Sequence, residues 1–312
     1  MTRRVRIIGA ASGVGAQDSG CARGPEALRQ CHCFRALMHH PELDWEESLY
    51  PRTAHLSVEG PLGQVIDLCS RLCEDVHQTL RRGDLPLVVG GDHSCAIGVW
   101  SGVKRYLGRD REMGLLWFDA HLDSHTKHTS YSGALHGMPL ACLLGVGDTR
   151  LTGLGLAGPK VSPQRVAVFG ARSFEPEEAD LLQRLGVRVF TRSEIEQRGM
   201  VRCLDEALSI ASHGTDGFGI SIDLDVFDPS QAPGVGSPEP EGLEPRHLLF
   251  ALAHLRGDPR LLGVEISEYN PDRDKNQRTA ALAAKIVSAL LPGDVASGSL
   301  ILPPGRGASK SM

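Results

Sequence analysis

The chain has 312 residues, of which 41% are hydrophobic and 23% are charged, a composition typical of a globular protein with a sizeable core. Its formal net charge of −5 at pH 7 disfavours nucleic acids and anionic membranes as main partners but leaves a small cationic substrate open. No apolar run approaches the roughly 20 residues of a membrane helix, and glycines interrupt the first apolar run before it could act as a signal peptide. The composition therefore predicts a cytoplasmic protein.

The eight cysteines form no recognisable disulfide or metal-binding framework. Cys31 and Cys33 are too close for a zinc knuckle, and Cys69 and Cys73 are one helical turn apart. Neither pair has a matching partner pair, which predicts reduced and mostly buried thiols in the cytosol.

Short apolar runs alternate with helical patterns along the chain. In chain order, the apolar runs predict strands at residues 5–8, 85–89, 114–118, 165–169, 187–190, 217–224 and 261–266. The helical patterns predict helices at residues 25–38, 61–82, 95–107, 176–185, 245–255 and 276–291. Several of the strands, such as MGLLWF, are apolar on both faces, as in a parallel sheet that is covered on both sides.

The alternation of strands and helices predicts a three-layer α/β/α fold with a mostly parallel sheet. No composition break or internal repeat divides the chain, so residues 1–291 are predicted to form a single domain. Residues 292–312 are rich in glycine, serine and proline and predict a flexible C-terminal tail.

Three polar segments follow apolar runs and hold most of the functional signal. They are LVVGGDHS from Leu87, WFDAHLD from Trp117 and SIDLDVFDP from Ser221. Each segment is expected at the carboxyl end of a strand, which is where open α/β sheets bind their ligands.

The spacing of the charged residues in these segments predicts a metal site. Residues two apart on an extended chain point to the same face, so Asp119, His121 and Asp123 are expected to project together, as are Asp223 and Asp225. Burying such carboxylates without partners would cost several kcal/mol each, and a divalent cation would remove that cost. A single aspartate after a strand usually forms a cap or a turn, but capping does not explain the whole set.

The residue types indicate which metal to expect. The four aspartates, together with His93 and His121, offer hard oxygen donors and two imidazoles, a mixture that suits Mn²⁺ and leaves Zn²⁺ or Fe²⁺ open. Six side chains are too many for one catalytic ion with an open position. Two ions about 3.5–4 Å apart would use all six, and such a pair holds hydroxide at neutral pH.

With these motifs in place, the sequence closely resembles the ureohydrolase family, and within it the arginase branch. The blocks that carry the resemblance occur in order and span nearly the whole chain: IIGAASGVGAQDSGCARGPEALR, LVVGGDHSCAIGVWSG, WFDAHLD, SGALHGMPLACLLGVG, SIDLDVFDPSQAPGVGSPEPEGL and ISEYNPDRDKNQRTA. The resemblance implies an α/β/α fold with an eight-stranded parallel sheet, two Mn²⁺ ions per chain, and homotrimers or homohexamers.

The resemblance also implies roles for individual residues. It assigns six metal ligands: His93, Asp119, His121, Asp123, Asp223 and Asp225. Asp123 matches the aspartate that relays the proton of the bridging hydroxide, and His136 matches a proton-shuttling histidine. Glu268, in the sequence E-Y-N-P, matches the carboxylate that binds the guanidinium. Glu265 is a nearby rival that lacks this context.

The residues expected at the other end of the substrate depart in part from the arginase pattern. The resemblance implies substrate binding by Ser130, Ser132, Glu175 and Glu178. His125 occupies a position where arginases usually carry asparagine, and Ala134 replaces a second asparagine. His125 could still bind a carboxylate, more strongly when protonated. These changes concern the choice of substrate and leave the metal ligands intact.

Together these observations predict hydrolysis of L-arginine to L-ornithine and urea. The hydroxide and Glu268 would leave the pocket negative after two Mn²⁺ ions had balanced the four aspartates, and a guanidinium, which stays protonated, is the natural complement. The alternatives are another ureohydrolase (agmatinase, guanidinobutyrase or formimidoylglutamase) and a catalytically silent homologue that serves as an oligomeric partner. The filled metal positions argue against the silent homologue.

Overall fold

The computed structural model describes residues 3–52 and 56–291, with side chains described from residue 60 onwards in the second range. Within these residues the chain forms eight strands: β1 (Val5–Ala10), β2 (Leu43–Trp45), β3 (Leu85–Gly90), β4 (Met113–Phe118), β5 (Val166–Ala171), β6 (Arg188–Thr191), β7 (Gly217–Asp223) and β8 (Leu261–Ser267). They make one parallel sheet in the order β2-β1-β3-β8-β7-β4-β5-β6. The predicted strands are confirmed, and only the three-residue edge strand β2 was not predicted.

The same described residues contain the helices α1 (Gly24–Gln30), α2 (His32–Leu37), α3 (Leu56–Arg81), α4 (Ala96–Leu107), α5 (Pro139–Leu143), α6 (Thr149–Thr152), α7 (Pro176–Leu185), α8 (Arg192–Arg198), α9 (Met200–Ser212), α10 (Pro245–His254) and α11 (Arg278–Leu290). The single helix predicted at residues 25–38 is wrong, because Cys31 is extended and its thiol accepts a hydrogen bond from the Phe34 amide at the start of α2. Helices α8 and α9 were not predicted. The predicted tail at 292–312 lies outside the described residues.

The sheet is buried on both faces, as the apolar runs predicted. In β3, Leu87 and Val89 pack in one hydrophobic core and Val88 packs in the other. Helices α3 and α4 contribute to the core that contains Val88, whereas α2, α9, α10 and α11 contribute to the opposite core. The three-layer α/β/α fold is therefore confirmed. None of the described helices is both long enough and apolar enough to cross a membrane.

The strand order brings the three polar segments to one place. Strands β3, β8, β7 and β4 are neighbours at the centre of the sheet, and all of them run in the same direction. Their carboxyl ends therefore lie side by side, although β3 and β8 are far apart in sequence. The edge of the sheet at these four ends is the expected position of a ligand.

Arg172, which follows β5, fixes the loop after β7 against this edge. Its guanidinium donates hydrogen bonds to the backbone carbonyls of Asp225 (2.7 Å), Glu239 (2.9 Å) and Pro240 (2.8 Å). A planar guanidinium can reach several carbonyls at once, which the single ammonium of a lysine cannot do. One side chain thus holds two stretches of the loop in place.

We expect Arg172→Lys to lower the free energy of unfolding by about 1–3 kcal/mol, because carbonyls that lose their donor remain partly buried. Urea unfolding followed by circular dichroism would measure the change. Arg260→Lys is the matched control, because Arg260 is an exposed residue that pairs with its near neighbour Asp258. Equal stability of the two variants would contradict the proposed role of Arg172 in holding the loop.

Candidate metal centre

His93 enters the site from a short 3₁₀ helix, His93–Cys95, that directly follows β3. The side chain of Asp92 caps this turn by accepting hydrogen bonds from the amides of Ser94 (3.0 Å) and Gly15 (2.9 Å). The imidazole of His93 stacks on the Trp117 ring, with 4.3 Å between ring centroids. Capping and stacking together fix the direction in which the His93 ring points.

The Nδ1 atom of His93 faces three carboxylates. It lies 3.3 Å from Asp119 Oδ2, 3.0 Å from Asp123 Oδ2 and 3.2 Å from Asp223 Oδ2. Among the described residues, neither His93 Nδ1 nor Asp123 Oδ2 has a hydrogen-bond partner, although both atoms are buried. Buried polar atoms are normally satisfied, so a cluster of unsatisfied electron-pair donors fits a cation.

A second cluster adjoins the first and shares Asp119. His121 Nδ1 lies 3.1 Å from Asp225 Oδ2 and 3.5 Å from Asp119 Oδ1. The two oxygens of Asp119 therefore face different histidines, Oδ2 towards His93 and Oδ1 towards His121. This is the geometry that a carboxylate needs to bridge two ions.

The structure thus brings together all six residues that the sequence predicted as ligands, but it divides one pair. Asp223 and Asp225 were expected to point to one side, yet Asp223 belongs to the His93 cluster and Asp225 to the His121 cluster. The reason is that β7 ends at Asp223 and the chain turns into a 3₁₀ helix, in which the Asp223 side chain accepts a hydrogen bond from the Asp225 amide.

Three of the four crowded carboxylates, those of Asp123, Asp223 and Asp225, hold protons more tightly than usual. Burial would also raise the pKa of Asp119, but its hydrogen bonds with His121 and His93 lower it. Burial, followed by the nearby charge of Asp119, raises the pKa of Asp123 to about 6. Burial and the charge of Asp225 raise the pKa of Asp223 well above its ordinary value. Burial alone would lower the pKa of His93, but the surrounding carboxylates raise it well above the usual range. A divalent cation would replace these protons, and the donor set of carboxylate oxygens and imidazoles fits Mn²⁺, Zn²⁺ or Fe²⁺.

Glu268 lies beside the His93 cluster in a strained conformation. Its φ angle is 65°, in the left-handed region that side-chain-bearing residues rarely adopt. Its Oε1 atom accepts a hydrogen bond from the His93 amide (2.8 Å) and lies 3.0 Å from His136 Nδ1, while the Cys21 thiol donates to Oε2 at 3.2 Å. A Cβ atom at position 236 would collide with the Glu268 carboxylate, which explains the glycine there.

His136 and Glu268 influence each other's protonation. Burial would lower the pKa of His136, but its hydrogen bond to Glu268 raises that pKa to about 9. Burial has the opposite effect on Glu268 and would raise its pKa, but the hydrogen bond with His136 lowers that pKa below its usual value. At neutral pH the pair is therefore an ionised carboxylate beside a protonated imidazole.

The residues predicted to bind the rest of the substrate form a separate group. His125 Nε2 lies 3.0 Å from Glu175 Oε2, and His125 Nδ1 lies 3.1 Å from Thr129 Oγ1. Glu178 is buried, and its two oxygens accept hydrogen bonds from the Ser124 and Glu175 amides, both at 3.1 Å. Glu178 therefore caps α7, whereas the half-exposed carboxylate of Glu175 is open to a ligand.

The two predicted serines lie in the loop before the 3₁₀ helix that carries His136. Ser130 Oγ accepts a hydrogen bond from the Gly133 amide (3.0 Å), and Ser132 Oγ accepts one from the Ala134 amide (3.2 Å). The two hydroxyl oxygens lie 3.5 Å apart, so at least one of them keeps its proton for another acceptor. Their role in substrate binding, like those of His125 and Glu175, stays a prediction.

The sequence did not predict that two further residues, Glu265 and Glu239, lie beside the candidate ligands. Glu265, the predicted rival of Glu268, points to the far side of His93 and contacts Ser221. A charged residue inside the apolar strand LLGVEIS was a signal for this role. Glu239, whose Oε1 lies 3.7 Å from His121 Nε2, gave no such signal because it is in an irregular loop.

Comparison with known proteins finds relatives named arginase in both sequence and fold. The model of the Arginase family matches residues 3–292. The arginase of Bacillus caldovelox is 35% identical over 293 residues, which are 92% of this chain and 97% of that protein. A crystal structure of the arginase from Bacillus subtilis superposes with a TM-score of 0.85 at 32% identity, covering 94% of this chain and all of that one.

Two further solved structures share the fold of this chain. The arginase of Entamoeba histolytica in complex with L-ornithine has a TM-score of 0.84 at 27% identity, covering 93% of this chain and 98% of that one. The formimidoylglutamase of Bacillus subtilis has a TM-score of 0.75 at 22% identity, covering 93% of this chain and 87% of that one, and shows the shared fold alone.

The chain therefore belongs to the Arginase family. It is a hydrolase of the amidinohydrolase type, with two adjoining groups of side chains that can hold metal ions.

Metal counting would test which side chains hold the ions, since His125, Glu175 and Glu178 form a third group of possible ligands. We expect about two Mn²⁺ ions per chain in the wild type and a loss of both in Asp119→Asn, which lacks the shared carboxylate. His125→Ala is the matched control and should keep both ions. Elemental analysis after removal of free Mn²⁺ gives the count. Loss of metal in His125→Ala but not in Asp119→Asn would assign the ions to the third group.

The pKa of Asp123 generates a prediction for the metal-free protein. Because the folded pKa of about 6 lies above the unfolded value, protonated Asp123 stabilises the fold fully below about pH 4, and this contribution is lost as the pH rises through about 6. The uncharged variant Asp123→Asn should therefore be more stable than the wild type at pH 8, by about 1–3 kcal/mol, and the difference should vanish near pH 4.

Urea unfolding in the presence of a chelator would measure this difference. Asp258→Asn is the control of opposite sign, because hydrogen bonds from Arg260 lower the pKa of Asp258 and its ionised form is the stabilising one. A metal-free Asp123→Asn protein that is less stable than the wild type at pH 8 would refute the prediction.

Proposed function

We propose that this enzyme hydrolyses L-arginine to L-ornithine and urea with two Mn²⁺ ions. The observation that carries the proposal is the pair of clusters that share Asp119, with the ionised carboxylate of Glu268 directly beside them. His93, Asp119, Asp123 and Asp223 would hold one ion, and His121, Asp119 and Asp225 the other. When bound, the ions would supply a water nucleophile that is deprotonated at neutral pH.

The charges in the site favour a guanidinium as the reacting group. Two divalent ions would balance the four aspartates, and Glu268 then adds a negative charge. Oε1 of Glu268 accepts hydrogen bonds from His93 and His136, whereas Oε2 accepts one from Cys21 and keeps a second lone pair for a ligand. A guanidinium is planar and permanently charged, and one of its N–H groups could donate a charge-assisted hydrogen bond to that oxygen.

Two side chains are placed to handle protons. Asp123 Oδ2 is buried and lacks a hydrogen-bond partner within the described residues, so it could accept a proton from a water molecule held beside the ions. His136 bonds to Glu268 through Nδ1, which leaves its Nε2 proton for the departing amine. Its pKa of about 9 keeps it protonated at neutral pH.

The far end of the substrate would meet the pair formed by His125 and Glu175. These side chains present opposite charges 3.0 Å apart when His125 is protonated. The α-carboxylate of arginine would bind His125 and Ser132, and its α-ammonium would bind Glu175. Relatives named arginase support this substrate, as does the L-ornithine bound by the Entamoeba histolytica enzyme.

Other ureohydrolase activities have less support. The formimidoylglutamase similarity concerns the fold alone. Agmatine lacks a carboxylate and 4-guanidinobutyrate lacks an ammonium, so each would make one charged contact fewer than arginine with the His125–Glu175 pair. A silent homologue is disfavoured because all six candidate ligands converge. The cysteines are all free, in keeping with the predicted cytoplasmic location, and the homotrimer or homohexamer stays a prediction.

Urea release from arginine, agmatine and 4-guanidinobutyrate at equal pH and Mn²⁺ tests the substrate. We expect kcat/KM for arginine to exceed the other values by roughly ten- to a hundredfold, because a hydrogen bond to a charged group contributes about 1.5–3 kcal/mol and each of the other two compounds lacks one. Faster hydrolysis of agmatine or guanidinobutyrate would replace arginine as the substrate but keep the enzyme class.

The same assay tests the role of His125. His125→Ala should raise KM for arginine and hardly change KM for agmatine, which lacks the carboxylate. His128→Ala is the matched control, because His128 is an exposed histidine in the same loop. An equal effect of His125→Ala on both substrates would show that His125 only shapes the loop.

A further inference from the structure

The side of His93 that faces away from the candidate metal site contacts a buried carboxylate through a hydroxyl group. His93 Nε2 lies 3.0 Å from Ser221 Oγ, and Ser221 Oγ is hydrogen-bonded to Glu265 Oε2. His93 Nε2 and Glu265 Oε2 are 3.5 Å apart. All three residues are almost completely buried, so bulk water does not replace these contacts.

The sheet register places these residues together. Ser221 on β7 and Glu265 on β8 are direct cross-strand partners, and Glu265 is in turn the partner of Val88 on β3. His93 follows β3 by a few residues. Two neighbouring strands, β7 and β8, and the short 3₁₀ helix after β3 therefore supply the three members of the contact.

The donors and acceptors in this contact determine the tautomer of His93. The Ser221 hydroxyl donates its hydrogen bond to Glu265 Oε2. The oxygen of Ser221 then accepts from the Nε2 proton of His93. With its proton on Nε2, the imidazole presents the lone pair of Nδ1 to Asp119, Asp123 and Asp223, as a metal ligand must.

Glu265 has no other evident purpose in the fold. Within the part of the chain that the structure describes, no lysine or arginine pairs with it, and its second oxygen meets only the Cys95 thiol, at 3.4 Å. Burying such a carboxylate costs several kcal/mol. Positive charge on the His93 ring, or on a cation bound at the other side of that ring, would offset this cost.

We propose that Glu265, acting through Ser221, is a positioning residue that orients His93 and strengthens its bond to the metal ion. This inference rests on the proposed dinuclear site and deepens it. Loss of such an outer carboxylate typically weakens metal binding by about 10–100-fold. The ion held by His121 should keep its affinity, because His121 contacts neither residue.

Calorimetric titration of the metal-free full-length chain with Mn²⁺ tests the inference without any activity assay. Glu265→Gln and Ser221→Ala should each weaken one of the two binding events about 10–100-fold and leave the other unchanged. Electron paramagnetic resonance at limiting Mn²⁺ should show the signal of a coupled pair in the wild type and mainly that of single ions in the variants. Ser221→Ala removes only one oxygen, so it keeps the test valid if Glu265→Gln does not fold.

Cys95→Ala is the matched control, since Cys95 touches the same carboxylate but not the His93 ring. It should bind both ions close to the wild-type affinity. Wild-type affinity for both ions in Glu265→Gln and Ser221→Ala would overturn the inference, as would an equal loss in Cys95→Ala. Failure of the wild type to bind Mn²⁺ would instead refute the proposed metal centre, and this inference with it.

Discussion

The structure depends on the need to neutralise four aspartates that are buried within a few ångströms of one another: Asp119, Asp123, Asp223 and Asp225. Two histidines cannot balance four negative charges, even when both are protonated. The protein therefore holds protons on some of the carboxylates or, as we propose, binds two divalent cations. In either case the aspartates follow different strands, and the parallel central sheet brings the carboxyl ends of those strands together.

The metal-free site is destabilising by its nature, and the rest of the fold compensates for it. The raised pKa values of Asp123 and Asp223 show that their ionised forms are disfavoured. Asp123 and Glu268 also have backbone conformations in the left-handed region, each at a cost of about 1–3 kcal/mol. The two hydrophobic cores that cover the faces of the sheet supply the stability that offsets this strain. The strain lies at residues proposed to act in the reaction, as is common in active sites.

Local pattern was enough to predict the central strands and the six candidate ligands, because each ligand lies within a few residues of the strand that places it. Sequence pattern did not predict the position of a residue when that position depends on a partner far away in the sequence. Glu265 could be assigned to Ser221 only through the register of β7 with β8, and Arg172 reaches a loop more than 50 residues away. Strand β2 has too few residues to show a period, and α8 and α9 follow each other with only Gly199 between them.

The two ends of the proposed substrate would be bound by different parts of the fold. The guanidinium would meet groups on strand ends, whose positions the sheet register fixes. The amino-acid end would meet His125 and the loop of Ser130 and Ser132, whose hydrogen bonds are mostly local. Because those contacts are local, we expect a substitution in that loop to leave the candidate metal ligands in place. Substrate choice could then change without loss of the proposed hydrolytic chemistry, which agrees with a sequence that departs from the arginase pattern at His125 and Ala134 but keeps all six candidate ligands.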